Sequence, residues 1–126
     1  MKETKLYLII IILISIFLAG CELESKKEFL DAVELDPENY KVEFENEKVR
    51  VLRIKYAPGA KSVMHDHPEG VVVTLNNQKG KFTNPDGESF TANIKAGSVF
   101  WSDATRHLPE NIGNDTTDVI QIEFKN

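Results

Sequence analysis

The 126-residue sequence predicts an all-β domain of antiparallel strands, folded as a sandwich or barrel. Three observations carry that prediction. From Tyr40 onward, apolar and polar residues alternate in short runs, the period that puts successive side chains on opposite faces of a strand. Clusters of Gly, Pro, Asn and Asp separate the runs at short intervals, as tight turns require. Beyond residue 40 no long helical pattern alternates with the strands, which argues against a parallel βαβ sheet. The length suffices for one core behind a leader and leaves no material for a second.

Taken in order, the chain opens on Met1 to Lys5 and then runs from Leu6 to Gly20 without a charge, fifteen residues in all. A bilayer span takes about 20, so the run suits the apolar core of a signal peptide behind Lys2 and Lys5. An uncleaved anchor helix and a buried core helix are the alternatives. Leu18-Ala19-Gly20-Cys21 resembles the lipobox of bacterial lipoproteins. That resemblance implies a signal peptide over 1–20, cleavage before Cys21 and a diacylglycerol on its sulfur. It further implies a protein held on a membrane of the bacterial cell envelope, facing outside the cytoplasm. Cys21 is the sole cysteine, so neither a disulfide nor a cysteine-based metal site is expected.

Residues 22–36 place Phe29, Leu30 and Val33 at helical spacing, and Ser25 with Glu28 reads as a capping box. A short helix packed through Phe29 and Val33, or else a flexible tether, is expected over 21–39. Next, Tyr40, Val42 and Phe44 alternate with Lys41, Glu43 and Glu45, and Asn46-Glu47-Lys48 marks a turn. Val49 to Tyr56 is apolar on both parities, as in a strand buried between layers or at a subunit contact, so a homodimer through that face is a further expectation. Val71 to Leu75 is a β-branched run suited to a central strand, and Asn76 to Gly80 reads as a turn. Phe82 and Phe90 flank Asn84-Pro85-Asp86-Gly87, a hairpin turn in which Pro presets φ and Gly accepts its positive value. Lys95-Ala96-Gly97 turns into a strand over 98–102. The last strand carries Ile120, Ile122 and Phe124 on one side and Gln121 and Glu123 on the other.

The formal net charge is −5. Removing residues 1–20 takes away Lys2, Lys5 and Glu3, leaving 13 basic against 19 acidic side chains. Such a surface repels phosphate backbones, and no basic run with interleaved aromatics offsets it, so nucleic acid is not an expected partner. Membrane attachment would come from acyl chains rather than charge.

The chemistry is concentrated in the three histidines, His65, His67 and His107. On a strand over 63–67, His65 and His67 share a face about 6.5 Å apart along the chain and Asp66 points away. Both reach one metal ion, and His107 has to supply a third imidazole from elsewhere in the fold.

These residues resemble the motifs of the cupins. The first cupin motif runs Gly, five residues, His-x-His, and Gly59, His65 and His67 are in register with it. The second begins at Gly97 and closes with His107 and Asn111. Departures accompany the matches. The motif glutamate falls at Val71 or Val72, Gly80 comes late, Asp103 and Thr105 replace Pro and Gly, and His107 arrives one residue early. The resemblance spans about residues 40–126 and implies an antiparallel double-sheet jelly-roll barrel enclosing a metal or ligand site. Three histidines without the glutamate resemble the subset that includes iron-dependent thiol and diketone dioxygenases. The implied cofactor is one divalent metal, Fe(II), with Zn, Mn, Ni or Cu as alternatives and a metal-free histidine cluster as the bland reading. The implied function is a metal-dependent oxygenase or related small-molecule enzyme. Its rivals are a non-catalytic module binding a small ligand or metal at the cell envelope, and a metal-free isomerase using a histidine base. Pocket candidates are Arg53, which either grips a substrate carboxylate from inside or faces solvent or an interface ion pair, Tyr56, and Trp101, read as core packing or a substrate platform. Glu69 and Asp103 are read as solvated loop acids near the motifs, and Asn111 as structural.

Overall fold

The computed structural model describes residues 27–125. The leader, Cys21 and the Ser25 cap lie outside the described residues. A one-turn helix, α1 (Ala32–Leu35), is followed by nine strands: β1 (Tyr40–Glu45), β2 (Val49–Tyr56), β3 (His65–His67), β4 (Gly70–Thr74), β5 (Gln78–Thr83), β6 (Ser89–Ile94), β7 (Val99–Ser102), β8 (Thr105–Asn111) and β9 (Thr117–Phe124). They form two antiparallel sheets, one of five strands in the order β1-β2-β9-β4-β7 and one of four in the order β3-β8-β5-β6. This is the all-β double-sheet jelly roll that the sequence predicts. The core is Ala32, Tyr40, Leu52, Ile54 and Tyr56, with Val33, Ala60 and Val119 packed against it.

Turn chemistry sets the hairpins. The Gly87 N–H donates to the Asn84 carbonyl at 3.0 Å, with Gly87 at φ 89°, and β5 then pairs β6 so that Phe82 faces Phe90. Their rings stack at 5.4 Å between centroids. At β4 the strands approach so closely that a Cβ on Gly70 would lie 2.0 Å from the Ile122 carbonyl oxygen.

Three expectations are corrected. The helix expected over 22–36 is only α1 within the described residues, capped by Asp31, whose carboxylate accepts from the Val33 N–H at 2.8 Å. The backbone before it pairs with β3 instead: the Leu30 N–H donates to Asp66 Oδ2 at 2.7 Å, and the Asp66 N–H to the Leu30 carbonyl at 2.8 Å. Phe29 is accordingly exposed. Tyr40, Val42 and Phe44 do not share one face, because the β1–β2 register shifts between Val42 and Phe44, and the extra residue turns Phe44 outward opposite Val51. The turn expected over 76–80 is shorter, and β5 begins at Gln78. The Asn76 amide donates to the Thr116 carbonyl at 2.6 Å and accepts from the Asp118 N–H at 3.0 Å, which holds the bend to Leu75–Asn77.

Candidate metal centre

β3 is too short to bury a face by itself and is held from outside. Asp66 forms a fork with Arg106 on β8, Arg106 Nε to Oδ1 at 2.6 Å and Nη2 to Oδ2 at 2.5 Å, and that guanidinium holds the Asp66 carboxyl below its usual range. With Asp66 outside, alternation turns His65 and His67 into the barrel. The third imidazole comes from the neighbouring strand, not from across the fold, because β3 pairs β8 with His65 directly opposite His107. One ring nitrogen from each histidine lies within 4.8 Å of the other two.

The partner nitrogens fix the tautomers. His65 Nδ1 lies 2.8 Å from the Val63 carbonyl, and His67 Nδ1 lies 2.6 Å from Glu123 Oε1. A carbonyl and a carboxylate only accept, so both Nδ1 atoms carry a proton, and Nε2 is the nitrogen that each ring turns toward the other. These two Nε2 atoms sit 3.1 Å apart. Two ligand nitrogens at about 2.1 Å from one metal are separated by roughly 3.0–3.4 Å, so the spacing of this pair suits a shared cation. Burial, then the neighbouring His67, pushes the His65 pKa down to about 4. The same causes, with His65 added, push His107 down to about 3. Both imidazoles are therefore neutral at physiological pH, the form that ligates metal. The residues present fit a divalent ion.

Residues that the sequence reading did not single out complete the site. Tyr40, from β1, places its hydroxyl 2.9 Å from His65 Nε2 and accepts from the Tyr56 hydroxyl at 2.6 Å. Burial raises the pKa of both phenols, so both remain protonated donors. Glu123 is 1% exposed and its second oxygen accepts from Arg50 Nε at 2.6 Å; Arg50 Nη1 reaches Asp31 Oδ2 at 2.6 Å. A buried chain thus runs from His67 through Glu123 and Arg50 to the cap of α1. Its one sequence signal is that Glu123 shares parity with Gln121 and Thr117 on β9, which reads naturally as a solvent face.

A cavity of about 480 Å³ opens beside the histidines, with Tyr40, Tyr56, His67, Phe82, His107 and Gln121 among its walls. Tyr56 is where the sequence put it. Arg53 and Trp101 are not, and the pocket roles read for them are corrected. Arg53 lies on the outer face of β2, where Asp118 takes its Nε and its Nη2 at 2.6 Å, with Glu43 at 3.8 Å. Trp101 is 52% exposed, packs on Phe124 at 5.6 Å and donates its indole N–H to Asp103 at 2.9 Å. Pleat parity sends both outward, leaving Leu52 and Ile54 on β2 to face in. Asn111 is structural as expected, its amide donating to the Tyr56 and Asp115 carbonyls.

No family model matches the chain, and no curated protein matches it. Solved structures do. A cupin domain from Bordetella pertussis is 25% identical with a TM-score of 0.64, covering 69% of this chain and 92% of its own. An RmlC-like cupin with a double-stranded β-helix fold from Methanocaldococcus jannaschii is 17% identical with a TM-score of 0.55, covering 68% and 77%. A polyketide cyclase from Streptomyces resistomycificus is 13% identical with a TM-score of 0.53, covering 68% and 63%. The chain has the fold of the cupin domains, with a three-histidine cluster that suits a divalent metal. Which metal and which reaction are matters for the site's own chemistry.

Proposed function

We propose that this protein is a metal-dependent small-molecule enzyme of the oxygenase type, anchored at the bacterial cell envelope through a lipid on Cys21. The observation that carries the reading is the convergence of three imidazoles beside a cavity of about 480 Å³. A bound divalent ion, Fe(II) in this reading, supplies Lewis acidity and open coordination positions for a substrate. The chain does the rest. Glu123 and the Val63 carbonyl hold two of the imidazoles in their ligating tautomer and orientation. The Tyr40 hydroxyl, kept protonated by burial and fed by Tyr56, is the donor that meets an oxygen of a ligand seated beside His65. Phe82 and its neighbours exclude water from one wall. The described cavity walls include Asp103 and Glu110 and no lysine or arginine, so the part of the substrate that leaves the metal is not anionic.

The test is metal analysis of the chain purified without chelator, beside His65→Ala and His107→Ala. About one iron per chain, lost in both variants, supports the reading and opens an oxygen-uptake screen of small molecules. A wild-type chain that holds no metal after reconstitution with iron, manganese, zinc, nickel or copper overturns it. Anchoring is tested separately: Cys21→Ala should accumulate as unprocessed precursor, and normal cleavage of that variant refutes the lipid anchor.

A further inference from the structure

Nine polar or charged side chains are buried among the described residues, and eight of them are hydrogen-bonded to protein. Gln121, 5% exposed, is the exception: among the described residues nothing meets its carboxamide. Its place on β9 explains why. Gln121 stands opposite Leu52 on one side and Val72 on the other, and neither side chain forms hydrogen bonds. Two residues further along the same face, about 6.8 Å away, Glu123 has its oxygens committed to His67 and Arg50. An amide sealed from every partner is strongly destabilising, and no sealed side-chain nitrogen or oxygen among the described residues lacks a partner. The Gln121 amide therefore reaches open space. That space is the cavity of about 480 Å³ whose wall it shares with Tyr40, Tyr56 and His67.

We infer that Gln121 selects the substrate, and that what it selects is a neutral primary amide, lactam or imide. The inference rests on the reading of this cavity as a substrate site. A carboxamide side chain carries an oxygen that accepts beside an NH2 that donates. A ligand cation engages the oxygen alone and a carboxylate engages the NH2 alone, so either leaves half of the group unmatched in a wall of low dielectric. A carboxylate also meets the acidic residues of that wall, Asp103 and Glu110. A neutral edge with a donor beside an acceptor uses both halves, through two parallel N–H···O bonds that run in opposite directions. Primary amides, lactams and imides present such an edge. A trans peptide bond does not, because its N–H and C=O point to opposite sides. The rest of the ligand is apolar, since Phe82, Phe90, Phe100 and Val119 line the cavity around this one amide.

The experiment measures binding to the full chain by calorimetry with three probes built on one ring: benzamide, N,N-dimethylbenzamide, which has no donor, and benzoate, which has acceptors alone. The wild-type chain should bind benzamide at least about tenfold more tightly than either relative, the worth of the hydrogen bonds that they forgo. Gln121→Met, which keeps the length of the side chain without its polar atoms, should bring benzamide and N,N-dimethylbenzamide to within about twofold of each other. If circular dichroism shows that variant misfolded, the probe series on the wild-type chain decides alone. Equal affinity for the three probes, no benzamide binding at millimolar concentration, or a preference that survives in a folded Gln121→Met overturns the inference. Metal content measured on the same samples separates it from the functional reading. A chain that prefers benzamide but holds no metal upholds the role of Gln121 and loses the oxygenase, and a metal-loaded chain indifferent to the three probes overturns the role of Gln121 alone.

Discussion

A histidine ligates a metal through one nitrogen only when something keeps the proton on the other. At His67 that something is Glu123, buried to 1% and itself held by Arg50. A carboxylate behind a ligating imidazole fixes its tautomer and raises its basicity, and its loss costs about 10–100-fold in metal affinity. Glu123→Gln should weaken metal binding by that factor in chelator competition. Asp118→Asn is the control, because Asp118 grips Arg53 on the outer face of the larger sheet, away from the histidines. It should change metal affinity by less than about threefold. Equal losses in both variants would reduce Glu123 to a packing residue. Tyr40 is the other residue whose position matters more than its identity suggested, since the same hydroxyl that bonds His65 faces the cavity.

At the scale of elements, β3 and β8 carry the histidines, while β4 supplies part of the cavity wall and depends on close approach. β4 lies between β7 and β9, and the missing side chain of Gly70 lets it pass the Ile122 carbonyl. Gly70→Ala must push the ladder apart and should cost about 2–3 kcal/mol or more, read as a lowered urea midpoint. Gly87→Ala meets no atom within 4 Å but keeps φ at 89°, so its cost is only the left-handed backbone penalty of about 1–2 kcal/mol. If the two variants unfold at the same midpoint, close packing at β4 is not what limits stability. The segment before α1 behaves as an added edge to β3 through its reciprocal bonds with Asp66, which is why a helical pattern yielded only one turn.

For the whole molecule, burial of neutral histidines couples stability to pH. The unfolded chain takes up protons on His65 and His107 near their ordinary value of 6.5, whereas the folded chain resists until about 4 and about 3. The unfolded state therefore binds more protons in between. The stabilisation is complete above pH 6.5 and is lost as pH falls through that window, on the order of 3 kcal/mol for His65 and on the order of 5 kcal/mol for His107. Denaturant unfolding of the metal-free chain should show stability dropping steadily from pH 7 to pH 4, with His107→Phe flattening the slope. A flat profile in the native chain would mean that water reaches these rings.

The sequence by itself determined the fold class, the Phe82–Phe90 hairpin, and the placing of His65 and His67 on one face with Asp66 opposite. These follow from alternation and turn chemistry, which are local properties of a few consecutive residues. Tertiary structure alone decided which face of each strand is the inside. A period of two separates two sets of side chains without saying which set meets the other sheet, so Arg53 and Trp101 turned outward while Glu123 turned in to His67. It also decided that β8 lies beside β3, bringing His107 opposite His65, and that a bulge in β1 sends Tyr40 to the site and Phe44 to the surface. Burial depends on what packs against a face, and that partner lies tens of residues away along the chain.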